Sequence, residues 1–107
     1  MTTFEERGKG FETKYKRDQE LQFKVMARRN KLLGLWAAEK MGVSGPDAET
    51  YAKDVVASDF DRPGDEDVLE KVHGDFEAKG LGVSAPDVRK EMERLVDVAR
   101  QQIEAET

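Results

Sequence analysis

The sequence predicts an all-α protein, a small four-helix bundle with a mobile N-terminal arm. Apolar residues recur at spacings of three and four, which is the helical period. The alternating apolar and polar runs that are typical of strands are absent from the sequence. The chain has 107 residues, of which 38% are charged and 37% are hydrophobic, so we expect one domain with a modest core.

Glycine, serine and proline mark the predicted helix boundaries. Gly42 and Gly80 are each followed by a branched apolar residue, a pattern that ends helices through a left-handed glycine. Ser44 and Ser84 each precede a proline by two residues, and we expect both serines to act as N-caps. Because the two segments around these serines are near copies, they indicate either an internal duplication or one capping solution used twice.

These boundaries give four helices joined by short loops, which favours antiparallel packing of neighbours in a bundle. The predicted helices run from about Leu21, or somewhat earlier, to Met41, from Pro46 to Asp59, from an N-cap at Asp65 to Lys79, and from Ala85 to Ala105. The predicted core consists of Val25, Leu32, Leu33, Trp36, Tyr51, Val55, Val56, Phe60, Leu69, Val72, Phe76, Val88, Met92, Leu95, Val96 and Ile103. Residues 1–20 form the predicted arm, and residues 21–107 form the bundle.

Charge is distributed unevenly along the chain. The first 31 residues carry nine Lys/Arg and five Asp/Glu, whereas the remainder carries nine Lys/Arg and eighteen Asp/Glu. A basic segment on an acidic body is typical of an interaction segment. Acidic residues are interleaved with the basic ones in this segment. These acids and the acidic body would both repel the phosphates of a nucleic acid. We therefore expect a protein partner and no nucleic acid.

The arm carries three large apolar residues. Phe4, Phe11 and Tyr15 are spaced by seven and four residues, which places them on one stripe of a helix. Gly8 and Gly10 weaken that helix by about 1 kcal/mol each relative to alanine. The arm is therefore expected to be loose in the free protein and helical when a partner covers the stripe. The alternative is a tail whose aromatic side chains pack lightly on the bundle.

The residue types that support catalysis or metal binding are scarce. The sequence has no cysteine, which excludes thiolate sites, and it has a single histidine, His73, which excludes histidine clusters. No nucleophile, base and oxyanion donor come together, so we predict no catalytic residues, no cofactor, no metal and no enzymatic activity. The acids around Pro63 and Gly64 lack the order of a calcium loop, so we interpret them as solvated charge.

Two further patterns bear on ligands and location. The run from Arg28 to Lys31 could hold a phosphate, but its position inside a helix spreads its donors around the cylinder and favours a salt-bridge face. A small-ligand (nucleotide) binding bundle using this side, and a helical adaptor, remain alternatives. No apolar run could span a membrane, and the first residues lack the hydrophobic stretch of a secretory signal, so we expect a soluble, cytoplasmic protein.

The run from Ala27 to Glu39, with the sequence ARRNKLLGLWAAE, closely resembles the signature segment of an alphaproteobacterial family. That family is the zeta subunit of the F-type ATP synthase, and the resemblance extends over most of the chain, from Thr3-Phe4-Glu5-Glu6-Arg7 to Asp67-Val68-Leu69. Within the run, Gly34 would let a neighbouring helix approach closely.

The resemblance implies a four-helix regulatory subunit whose N-terminal segment inhibits ATP hydrolysis. The segment would become helical as it enters a catalytic interface between the alpha and beta subunits, near gamma, with no direct membrane insertion. The free protein would be a cytoplasmic monomer. When bound, it would lie at the periphery of the inner membrane through its contact with the synthase. The implied partner-binding residues are the anchors Phe4, Phe11 and Tyr15, the cations Arg7, Lys14, Lys16 and Arg17, and Glu5 at the helix start. Gly8 and Gly10 depart from the helix-favouring residues that we expect there, and they predict weaker inhibition.

Overall fold

The computed structural model describes the backbone of residues 2–59 and 65–106, and within those ranges the side chains from Asp18 onward. These ranges contain four α-helices and no strand, so the all-α prediction is confirmed for them. The helices are α1 (Thr2–Lys40), α2 (Pro46–Ala57), α3 (Glu66–Ala78) and α4 (Ala85–Glu106). The most extensive packing joins α1 to α2 and to α4.

Both predicted glycine helix ends are confirmed. At the end of α1, Gly42 adopts a φ of 75°, and its N–H donates to the carbonyl of Glu39 at 3.1 Å. The N–H of Val43 donates to the carbonyl of Ala38 at 2.8 Å, which completes a Schellman motif. The same pair of bonds ends α3 around Gly80, whose φ is 72°.

The two predicted serine caps have different outcomes. Ser84 caps α4, because its Oγ accepts a hydrogen bond from the N–H of Asp87 at 3.2 Å. The prediction for Ser44 is wrong, since the N-cap of α2 is Gly45, with a φ of 63° and no side-chain cap bond. A glycine can adopt this left-handed conformation, so the chain turns at Gly45 and leaves Ser44 one residue outside the cap position.

Helix α1 begins at Thr2, well before the start near Leu21 that the sequence favours. Glycines lower helix propensity but keep their backbone N–H groups, so Gly8 and Gly10 do not interrupt the backbone ladder. The arm and the first part of the bundle therefore share one helix of 39 residues. The division of the chain at residue 20, and the looseness of the arm in the free protein, stay predictions.

The buried core follows the predicted apolar faces closely. Its larger cluster consists of Leu33, Ala37, Val55, Val68, Leu69, Val72, Phe76, Val88, Met92 and Leu95. A smaller cluster joins α1 to α4 through Val25, Ala99 and Ile103. Leu32, Trp36, Tyr51 and Val96 are partly buried against these clusters. Trp36 contacts Phe76 edge to face, with ring centroids 5.6 Å apart.

Val56 is 36% exposed, so its assignment to the core is wrong. Helix α2 turns Ala52 and Val55 towards the core, and the next position along the helix is rotated away by about 100°. Phe60 lies outside the described residues.

Gly34 sets the distance between α1 and α2. A Cβ atom at this position would lie 2.6 Å from the Cα of Ala52 and 3.2 Å from Cγ2 of Val55. Real Cβ atoms do not approach a backbone atom so closely. The expectation that Gly34 permits close helix packing is therefore confirmed.

Candidate partner-binding site

The predicted partner-binding residues all belong to the first part of α1. The backbone there is helical from Thr2 onward, but the side chains up to Arg17 lie outside the described residues. This applies to Phe4, Glu5, Arg7, Phe11, Lys14, Tyr15, Lys16 and Arg17. The structure therefore gives these residues a position along a helix, and it does not test their contacts.

Helical geometry relates the arm to the bundle. At about 100° per residue, positions 4, 11 and 15 fall within an arc of about 40°. The same rotation places Arg29 and Leu33 within that arc. Both of these residues are buried in the bundle, at 1% and 0% exposure. Positions 4, 11 and 15 thus share the helical register that Arg29 and Leu33 occupy further along α1.

Leu21 and Val25 mark where α1 joins the bundle. Val25 is 4% exposed and packs with Ala99 and Ile103 of α4, and Leu21 packs against the edge of that cluster. Asp18, one turn earlier, is exposed. The side chains of α1 that are described therefore change from exposed to buried within two helical turns.

A buried polar network fixes α1 to the connection between α2 and α3. Arg29 Nη2 donates to Asp65 Oδ1 at 2.7 Å, and Nη1 donates to Asp65 Oδ2 at 3.4 Å. Arg29 Nε donates to Asn30 Oδ1 at 2.7 Å, and Asn30 Nδ2 donates to Asp59 Oδ2 at 3.1 Å. Among the described residues, no buried side-chain nitrogen or oxygen lacks a partner.

This network corrects two predictions. The salt bridges expected for the run from Arg28 to Lys31 are present at Arg28 and Arg29, but Arg29 and Asn30 are each only 1% exposed, so this part of the run is buried. Asp59 and Asp65 accept bonds from that buried pair, so these acids of the turn are more than solvated charge. Asp65 does occupy the N-cap position of α3, but its carboxylate makes no cap bond, since Arg29 binds it instead.

Sequence reasoning missed the burial of Arg29, although a signal was available. Arg29 lies four residues after Val25 and four before Leu33, so it occupies the apolar stripe of α1. A cation on such a stripe needs a buried or half-buried anion as its partner. The partner is Asp65, which is far away in the sequence.

Arg28 ties α1 to the end of α4. Its Nη1 donates to Gln102 Oε1 at 2.8 Å, and its Nη2 donates to Glu106 Oε2 at 2.9 Å. Both guanidinium groups of the run from Arg28 to Lys31 therefore already bind side chains of the bundle. These pairings occupy two of the three cations on which the small-ligand alternative relied, which weakens that alternative.

A second polar contact lies at the wall of an open cavity of about 450 Å³ between α2, α3 and the connection from α1 to α2. Tyr51 Oη donates to Asp75 Oδ2 at 2.7 Å, and Lys71 Nζ lies 3.0 Å from the same oxygen. Burial and then the hydrogen bond to Asp75 raise the pKa of Tyr51 well above its usual range. Tyr51 therefore remains a neutral donor that ties α2 to α3, with no role as a base.

The described part of the chain contains no group of three or more His, Cys, Asp or Glu side chains placed to hold a metal ion. None of the described helices combines the length and the apolar character needed to cross a bilayer.

Comparisons with known proteins agree with this architecture. A family model described as ATPase inhibitor subunit zeta matches residues 1–102. Four chains of solved structures match as well. One of them, from a solution NMR structure, is 47% identical in sequence with a TM-score of 0.73, over 81% of this chain and 99% of its own. No curated protein matches.

Proposed function

The chain belongs to the ATPase inhibitor subunit zeta family, and we propose that it inhibits ATP hydrolysis by an F-type ATP synthase through its N-terminal arm. The arm enters a catalytic interface between an alpha and a beta subunit of the synthase head, near gamma. There it blocks rotation in the hydrolytic direction. The protein acts as a regulatory subunit and performs no catalysis of its own.

One observation carries this proposal. The family match spans residues 1–102, so it includes both the arm and the bundle. An inhibitor family that shared only the bundle would leave the arm without a function. The basic balance of the first 31 residues, against an acidic remainder, separately supports a protein-binding role for this end of the chain.

The backbone of α1 suits insertion into a crevice. The segment from Phe4 to Tyr15 spans about 17 Å as a helix, and it precedes the first described bundle contact of α1, at Leu21. The partner can therefore cover the stripe without displacing any described core side chain. Apolar anchors in a desolvated pocket supply most of the energy at such interfaces, so Phe4, Phe11 and Tyr15 are the main contacts.

Charged side chains of the arm give the insertion its direction. Arg7, Lys14, Lys16 and Arg17 pair with acidic groups of the head, and such pairs speed association more than they add affinity. Glu5 lies in the first turn of α1, where a carboxylate stabilises the positive end of the helix dipole. We place this interaction in the cytoplasm, on the part of the synthase that is peripheral to the inner membrane, and the protein is a monomer when free.

Site-directed cross-linking tests where the arm binds. The chain has no cysteine, so Glu12→Cys gives a single attachment point for a photoactivated reagent next to the stripe. We expect cross-links from position 12 to both an alpha and a beta subunit of the isolated head. The matched control is Glu93→Cys, at an exposed position of α4, which should give no such pair of products. Equal labelling from both positions would overturn the proposed insertion.

A further inference from the structure

Phe23 is the most exposed large apolar side chain among the described residues, at 76% exposure. It lies two residues from the point where α1 joins the bundle, and it belongs to neither core cluster. An aromatic side chain held in water on a rigid helix contributes little to folding, and aromatic residues are enriched at protein interfaces. Phe23 therefore has no described structural role.

Phe23 lines one end of a groove on the bundle. Its walls are Phe23, Ala27 and Lys31 of α1, Val56 of α2, and Ile103 of α4, around a volume of about 510 Å³. A second depression of about 240 Å³ extends the groove along α2 and shares Lys31 and Val56 with the first. Ala27, Val56 and Ile103 thus give the groove an apolar floor that crosses three helices. The rest of its lining is largely charged and includes Arg28, Glu49 and Glu106.

Cations border this groove. Lys24 and Lys31 lie on α1, and Lys53 lies on α2. None of the three makes an ion pair with a described residue, whereas Arg28 beside them is neutralised by Glu106. Glu49 also lines the second depression, so the three lysines exceed the remaining acid by two charges. The chain from residue 32 onward carries eighteen acidic and nine basic side chains, so this local positive excess differs from the acidic body. The charge pattern is complementary to an acidic surface with an apolar centre.

The groove and the aromatic stripe face different directions. At about 100° per residue, position 23 is rotated by about 100° from the middle of the stripe formed by Phe4, Phe11 and Tyr15. A crevice that closes on the stripe therefore leaves Phe23 beside its rim. One partner can contact both surfaces at the same time.

We propose that the groove around Phe23, with its border of Lys24, Lys31 and Lys53, is a second docking surface that binds an acidic, apolar patch on the synthase head. This inference rests on the proposed function and deepens it. The groove holds the bundle on the head, and the arm alone blocks hydrolysis. Because the two contacts are linked in one chain, docking of the groove raises the effective concentration of the arm at its site.

Separate measurements of binding and of ATP hydrolysis test the inference. The titrations use the isolated head and the full chain in five forms: wild type, Phe23→Ala, Lys31→Glu, the arm variant Phe4→Ala/Phe11→Ala/Tyr15→Ala, and Lys90→Glu. The last is the matched control, an exposed lysine on α4 outside the groove. Phe23 is exposed, so its replacement should leave the melting temperature unchanged.

We expect Phe23→Ala and Lys31→Glu each to weaken binding by about ten-fold or more, with full inhibition still reached at saturation. The arm variant should still bind through the groove but should inhibit only at a concentration higher by about a thousand-fold or more. Lys90→Glu should match wild type. If both groove variants bind as wild type does, the second docking surface is overturned while the proposed function stands.

Other outcomes separate the two proposals. Wild type that binds without inhibiting, and loses binding with Phe23→Ala, would support the docking surface and reject the inhibitory arm. Wild type that does not bind the head would overturn both. Sedimentation tests whether a second copy of the chain occupies the groove, and binding to phosphatidylglycerol vesicles tests whether lipid does. Self-association or vesicle binding that Phe23→Ala abolishes, together with unchanged affinity for the head, would assign the groove to a second copy or to lipid and overturn the inference.

Discussion

Arg29 and Asp65 form an ion pair in which two guanidinium nitrogens meet two carboxylate oxygens, at 2.7 and 3.4 Å. Arg29 is 1% exposed, whereas the side chain of Asp65 is 34% exposed. The pair joins the middle of α1 to the residue immediately before α3. Breaking it would leave a guanidinium charge buried without its anion.

Asp65→Asn should therefore lower the free energy of unfolding by about 2–3 kcal/mol, because removing one partner strands the other charge in a poorly solvated site. Partial exposure of Asp65 keeps the loss below that of a fully buried pair. Thermal and urea unfolding followed by circular dichroism measure the change.

The matched control for Asp65→Asn is Glu66→Gln, one residue further along. It removes the carboxylate that pairs with Arg89, where both side chains are about half exposed, at 46% and 51%. Exposed pairs contribute about 0–1 kcal/mol, so this variant should be close to wild type. Equal losses for the two variants would mean that the burial of Arg29 does not matter to stability.

Gly34→Ala should destabilise the bundle even though alanine is the better helix former. The new Cβ would collide with the backbone of Ala52, so α1 and α2 would have to separate. We expect a net loss of about 1–3 kcal/mol, since overpacking outweighs the propensity gain. Gly74→Ala on α3 is the control, because a Cβ there meets nothing within 4 Å and should stabilise slightly. A stabilised Gly34→Ala variant in urea unfolding would contradict the described contact.

The sequence could predict the helices of this bundle but not every partner of their side chains. Gly42 and Gly80 are local signals, because the left-handed conformation and the following apolar residue act within one turn. Arg29 pairs with a residue on the far side of the α2–α3 connection, and no local pattern encodes that distance. The arm differs again, since its side-chain contacts depend on a partner. Its assignment rests on the family resemblance and stays a prediction.

Replacing Gly8 and Gly10 with alanine should strengthen inhibition. Each glycine costs a helix about 1 kcal/mol relative to alanine, so the double variant should inhibit at a concentration lower by about ten-fold or more. Titration of ATPase activity against the added protein measures this shift. Weaker inhibition by the double variant would mean that the glycines serve a bend or a close approach, and a continuous bound helix would be wrong.

The most direct test of inhibition by the arm is the rate of ATP hydrolysis by the isolated synthase head, titrated with wild type and with Phe4→Ala/Phe11→Ala/Tyr15→Ala. The sequence assigns none of these three residues to the bundle core, so we expect circular dichroism to show the same fold and melting temperature for both proteins. We predict that wild type inhibits and that the triple variant needs a concentration higher by about a thousand-fold or more, because each buried aromatic anchor contributes about 2 kcal/mol or more. Equal inhibition by the two proteins would show that the arm does not carry the activity.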